Sequence, residues 1–365
     1  MPSSSLPRQL ARTRRFRLGA PDHFTIAADG GTVLFLRSKA GDDPVTCLWA
    51  LDVRDGRERL LADPDGLTGG AAERLPEAER TRRERARDEG SGIVSYATDE
   101  AAELAVFALS GDLWTVQIAS GLSRRLTTAG AAVDPRPDPT GQRISYVCGG
   151  ALRVAEADGS ADRAITEPSG PDVSFGLAEH VASESMGRHR GYWWAPDGTR
   201  LLVARVDTAA VERWYISDPA EPAQPPRAVR YPVAGTANAE VTLWIIGLDG
   251  ARTPVQWDIG AFEYVPAAGW DDHGPFAAVQ SRDQREHPPQ GTRVYLGAPR
   301  AIPLIQAPVT ATLVGGQPQL RDQAGEGDRY IRRCRSRMGM FGARCKLLLQ
   351  IVQLRQIISL STQAL

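Results

Sequence analysis

ADGGTVLFL (28–36), PTGQRISYV (139–147) and PDGTRLLVA (196–204) repeat one phrase: a turn built on Asp-Gly or Thr-Gly, then a short apolar run. Glycine enters such turns because it takes positive φ without a Cβ clash. A run of this length, rich in Val, Leu, Ile and aromatic residues and bounded by turn residues, reads as a buried strand. Runs of this kind dominate from about residue 22 to 282.

A second phrase follows the first, in which a strand leads through a Gly-containing hairpin turn to a returning strand. It occurs as LWALDVRDGRERLL (48–61), LWTVQIASGLSRRL (113–126), LRVAEADGSADRAI (152–165) and LWIIGLDGARTPV (243–255). The two phrases together predict one four-stranded antiparallel sheet. From Asp99 to Thr140 is 41 residues, the period of a propeller blade. The fold expected is all-β: a β-propeller of four-stranded blades, incomplete at four to five blades where closed propellers have about four to eight. Unequal spacing elsewhere points to insertions between blades.

Composition narrows the function. With 43 basic and 44 acidic residues the formal net charge is −1, which argues against a general nucleic-acid or membrane-surface binder. Cys47, Cys148, Cys334 and Cys345 form no CxxC pair and no zinc spacing, as expected of buried or incidental thiols in a reducing cytoplasm. The basic N-terminal segment 1–20 lacks the apolar stretch of a secretory signal, and LLLQIVQLRQIISL (347–360) is interrupted by Gln353 and Arg355. A cytoplasmic chain with no membrane partner is the expectation.

Three segments break the strand pattern. AAERLPEAERTRRERARDEG (71–90) has no apolar face, so a solvated helix or mobile loop is expected; its glutamates nearly cancel its arginines, against a nucleic-acid arm. Residues 218–240, Pro-rich and polar, predict an extended inter-strand connection. After the propeller span 21–285, residues 286–365 turn basic and then helix-like, either a genuine helix or an aberrant end.

The stretches DEGSGIVSYATDEAAELAVFALSGDLWTV (88–116), FGLAEHVASESMGRHRGYWWAPDGTRLLVARVD (175–207) and RYPVAGTANAEVTLWIIGLDG (230–250) together resemble the bacterial branch of the dipeptidyl peptidase IV family. The specific signature is Tyr-Trp-Trp-x-Pro-Asp-Gly followed by Arg-Tyr-Pro-x-Ala-Gly-Thr, and the resemblance covers roughly residues 10–285. It implies a propeller that caps an α/β-hydrolase domain and gates entry of short peptides. It also implies a short inserted helix whose two adjacent glutamates bind the substrate's terminal ammonium, so that the enzyme releases N-terminal dipeptides. A carboxylate pair in a shielded cavity suits an ammonium, which offers three donors.

By this resemblance the helix falls in LAEHVASESMGRH (177–189), and Glu184 matches the first glutamate. Ser185 stands where the family has the second, removing one charge. Glu184 and Ser185 are therefore the candidate substrate-binding residues, and the partner expected is a peptide N-terminus, weakly held. Glu179 has no mapped counterpart. His180 and His189 lie nine apart with no carboxylate cluster, a poor metal pattern, and neither metal nor cofactor is expected. Trp193 and Trp194, just before a turn, read as core.

No serine has glycine at both −2 and +2, so the nucleophile elbow of an α/β-hydrolase is missing and no catalytic residue is assigned. The chain is expected to lack the hydrolase domain and to be inactive alone. A separate hydrolase domain could complete it. Two other readings stay open: a stand-alone propeller serving as a binding scaffold, or a truncated product whose exposed strand edges favour self-association.

Overall fold

A computed structural model describes residues 5–283 and the strand 293–295. The first sheet contains β1 (Asp22–Ile26), β2 (Thr32–Ser38), β3 (Val45–Asp52) and β4 (Glu58–Ala62), paired antiparallel in chain order, with β5 (Ser91–Gly92) added parallel to β3. The second is β6 (Ala97–Thr98), β7 (Leu104–Leu109), β8 (Asp112–Gln117) and β9 (Ser123–Leu126). The third is β10 (Val133–Pro137), β11 (Arg143–Cys148), β12 (Ala151–Glu156) and β13 (Arg163–Ala164).

In the fourth sheet β14 (Val173–Phe175) and β15 (Tyr192–Trp194) share one partner, β16 (Arg200–Asp207). Between β16 and β19 stands a separate hairpin of β17 (Arg213–Ile216) and β18 (Arg227–Arg230). β19 (Glu240–Gly247) and β20 (Arg252–Pro254) then complete the fourth sheet. A fifth sheet holds β21 (Tyr264–Asp271), β22 (Gly274–Gln280) and β23 (Arg293–Tyr295). The architecture is the all-β, bladed one that the repeated phrases predict.

Every blade strand of the first phrase begins where its turn glycine stops. Gly30, Gly141 and Gly198 have φ of 71°, 70° and 65°. The turns also join blades. A Cβ on Gly141 would stand 3.2 Å from the Asp99 carboxylate of the preceding blade, and one on Gly198 would stand 3.3 Å from Asp138 of its own preceding blade. Asp99 accepts from the Glu103 and Leu104 amides, and Asp138 from those of Gln142 and Arg143.

The core explains why the strands are apolar at successive positions. Phe107 packs toward the first sheet while its neighbour Val106 packs toward the third. Likewise Leu201 and Val203 face the third sheet, whereas Leu202 and Ala204 face the fifth. Each central strand is thus buried on both faces between neighbouring blades, and alternation is lost for that reason. Truncating a residue such as Phe107, fully buried between blades, costs about 3–5 kcal/mol.

Two insertions differ from the sequence expectation. Residues 218–240 include the strand β18, so they form half of a hairpin as well as a connection. Residues 77–86 do form a helix, α3 after α1 (Leu6–Arg12) and α2 (Pro64–Thr68), but not a solvated one. Glu79 and Arg83 are only 4% and 3% exposed. Arg83 donates to Glu79 and Glu73 at 2.8 Å each, and Arg82 holds both oxygens of Glu79, also at 2.8 Å. Charge replaces an apolar face in docking this helix. Of the C-terminal stretch 286–365, expected to be either a genuine helix-like end or an aberrant one, only the strand 293–295 is described, paired with β22, and the rest lies outside the described residues.

Candidate substrate-recognition site

The innermost strand of the fourth blade is split. β14 and β15 both run antiparallel to β16, and residues 176–191 leave the sheet between them as one excursion. Its neck is the bridge between Gly176 and Gly191. Glycine is required there by close approach: a Cβ on Gly191 would lie 2.4 Å from the Leu177 carbonyl, and one on Gly176 2.9 Å from Val147. The excursion carries α4 (His180–Ser185).

Glu179 is the N-cap of α4, its carboxylate accepting from the Ala182 amide at 2.9 Å. The same carboxylate lies 3.5 Å from the buried Arg188 guanidinium, which also donates to the Val265 carbonyl at 2.8 Å. Capping and charge pairing both use Glu179 to hold the loop onto β21. It is 6% exposed.

Glu184 stands differently. It is half-buried, and its carboxylate has no hydrogen bond and no ion pair among the described residues. The Arg85 guanidinium of α3 and the imidazole of His180 act on it electrostatically. Ser185 is exposed, its hydroxyl likewise without a partner among the described residues. Both candidate residues are therefore presented on the last turn of α4 with polar atoms uncommitted.

Three insertions meet here. α3 reaches α4 through Arg85, which donates to the Ala178 carbonyl at 3.5 Å. The β17–β18 hairpin reaches α3 through Arg227, 3.2 Å from Glu77 and 3.6 Å from Glu84. Just beyond that hairpin, Tyr231 meets His180 edge to face, ring centroids 4.9 Å apart. Burial lowers the pKa of Arg85, an effect opposed by Glu179 and Glu184. Burial and then Arg85 lower that of His180, so the imidazole favours its neutral form.

Arg85 and Arg188 escape sequence reasoning, lying 99 and 4 residues from Glu184 with no motif of their own; Tyr231 lies inside the Arg-Tyr-Pro-x-Ala-Gly-Thr signature, but its contact with His180, 51 residues away, left no trace in the pattern. Trp193 is 6% exposed and packs in the cluster toward the fifth sheet, while the half-buried Trp194 packs on the opposite face toward the third, as the turn context suggests. His189 is exposed at the surface of the loop, while His180 is engaged with Tyr231.

A cavity of about 1240 Å³ lies where the first strands of the blades converge, bordered by His23, Tyr96, Asp134, Trp193 and Ala267. The tail of the α4 excursion, Gly187–Arg190, forms part of its wall.

Successive antiparallel sheets, with the inner strand of the fourth interrupted by a short helix beside a cavity where the first strands converge, define a propeller-like all-β domain. Residues 100–288 match the family model of the dipeptidyl peptidase IV N-terminal region, and the chain belongs to this family. It is 29% identical over 126 residues to dipeptidyl peptidase 8 of Mus musculus, spanning 28% of this chain and 14% of that one. With dipeptidyl peptidase 4 of Felis catus it shares 31% over 118 residues, 30% of this chain and 15% of that one. The crystal structure of Porphyromonas gingivalis dipeptidyl peptidase 4 superposes at a TM-score of 0.59 with 17% identity, covering 81% of this chain and 41% of that chain. The chain thus spans a minor part of the length of these relatives.

Proposed function

We propose that this propeller recognises the free N-terminus of a short peptide for a dipeptidyl peptidase IV-type serine peptidase, with Glu184 accepting the terminal ammonium. The observation that carries the reading is the contrast on α4: Glu179 is consumed by the fold, whereas Glu184 is half-buried and unpartnered. An ammonium placed there gains charge-assisted hydrogen bonds. Arg85 adds guanidinium donors suited to a peptide carbonyl beside it, and Ser185 adds a neutral acceptor. One carboxylate in place of two makes the grip weak.

The role concerns recognition and gating. No Gly-x-Ser-x-Gly occurs in the sequence, so the nucleophile is not among these residues. A hydrolase domain is the partner that such a propeller would serve. Calorimetric titration with Gly-Pro-p-nitroanilide and its N-acetylated form tests the reading. The free amine should bind about 10- to 100-fold more tightly than the acetylated one, as a hydrogen bond to a charged group warrants. That preference should vanish in Glu184→Gln. Equal binding of both ligands, or an unchanged preference in the variant, would sink it.

A further inference from the structure

The cavity at the centre of the blades has a one-sided charge. Eight arginines border it against four carboxylates. Some of these guanidiniums are neutralised: Arg82 by Glu79 at 2.8 Å and Arg136 by Asp134 at 2.7 Å. Others are not. Arg15, Arg17, Arg87 and Arg190 have no carboxylate within 4.0 Å among the described residues.

Arg190 is the most telling. Its Nε is buried with no hydrogen-bond partner, and its guanidinium lies 5.3 Å from the centroid of the Trp193 ring. Arg188, 6% exposed and bordering the same cavity, leaves Nη2 without a hydrogen bond because its approach to Glu179 stops at 3.5 Å. Buried N–H donors are nearly always satisfied in folded proteins; Arg188 retains its ion pair with Glu179, but the Arg190 Nε has neither hydrogen bond nor ion pair among the described residues and requires an explanation. Burial, and next the like charge of Arg136, pull the Arg190 pKa down to about 10. A charge held at such cost stabilises an anion brought beside it.

We propose that this cavity binds a small multivalent oxyanion, bearing phosphate or carboxylate groups, with Arg190 as its principal donor and Arg15, Arg17 and Arg87 around it. Planar guanidiniums match the paired oxygens of either group. The cavity volume exceeds that of a single inorganic phosphate, which favours a ligand with several charged groups. The site is independent of the peptide-binding role of Glu184.

Titration calorimetry and thermal unfolding of the full chain with inorganic triphosphate, citrate and ionic-strength-matched NaCl test this. Triphosphate or citrate should bind and raise Tm where NaCl does not; the tighter of the two names the preferred chemistry. Arg190→Gln should weaken binding at least tenfold and Arg190→Lys less. Arg87→Gln, an exposed change at the cavity that leaves the core intact, should weaken it several-fold, and Arg57→Gln, in the exposed β3–β4 turn, not at all. An effect of NaCl equal to that of the polyanions, or unchanged affinity in both Arg190→Gln and Arg87→Gln, would overturn the site.

Discussion

Arg188 and Glu179 face each other at 3.5 Å, both almost wholly buried, across the base of the loop that carries α4. The pair joins a helix cap to a cation that also donates to the Val265 and Arg190 carbonyls. Removing Glu179 therefore leaves a buried cation uncompensated and the Ala182 amide uncapped. Glu179→Ala should destabilise the domain by about 3–5 kcal/mol. Glu184→Ala, which removes no partnered atom, should stay within about 0.5 kcal/mol. Urea unfolding of both variants reads the contrast; comparable losses would make Glu184 structural.

Ser185 offers a gain of function. Placing a second carboxylate beside Glu184 gives the ammonium another charged acceptor, and Ser185 is exposed enough to accept the change. Ser185→Glu should tighten free-amine peptide binding about tenfold, the ratio that one charge-assisted bond of modest strength provides. Calorimetry with the acetylated peptide, whose affinity should not rise, separates this from general stickiness.

α3 should depend on its buried charges. Arg83→Ala removes the ion-pair partner of Glu73 and leaves Glu79 to Arg82 alone, and should cost about 3 kcal/mol, whereas Arg80→Ala, at an exposed pair with Glu77, should cost under about 1 kcal/mol. Limited proteolysis within 71–90 should accelerate only in the former, and equal protection would mean that the network does not hold the helix.

Acid should erode stability in two stages. Burial and Arg85 lower the His180 pKa in the fold, so its contribution is complete above the unfolded value of about 6.5 and lost as pH falls below it. Burial alone would raise the Glu79 pKa, but hydrogen bonds from Arg82 and Arg83 outweigh it and lower the value. Its contribution is therefore complete above the unfolded value of about 4.3 and lost as pH falls through the folded one. Urea midpoints between pH 7.5 and 3 should show both stages, with the earlier one reduced in His180→Gln.

The neck of the excursion should tolerate no side chain. Gly191→Ala drives a methyl into the Leu177 carbonyl at a separation no real contact shows, so the bridge to Gly176 must open. A loss of about 1–3 kcal/mol is expected, with weaker peptide binding as α4 moves. Tyr192, next in the chain, donates to the Asp134 and Ser145 carbonyls of the third blade, and Tyr192→Phe should cost about 1 kcal/mol. Thermal unfolding measures both.

The sequence alone determined the blades, because a turn glycine followed by a strand and a hairpin is local chemistry: Gly30, Gly141 and Gly198 do the same work at each repeat. It also located α4 and Glu184, since the Tyr-Trp-Trp-x-Pro-Asp-Gly signature anchors the loop in the chain. What it could not show was the use made of charge. The segment 71–90 carries no apolar face, so its local pattern spells solvent, yet Arg83 and Glu79 are buried because Glu73 and the Gly90 and Gly92 carbonyls meet them there. Only the tertiary structure separated Glu179, spent on Arg188, from Glu184, left free, and only it gathered arginines from distant segments around one cavity. Hydrogen bonds and ion pairs act over a few ångströms in space, and separation along the chain carries no trace of them.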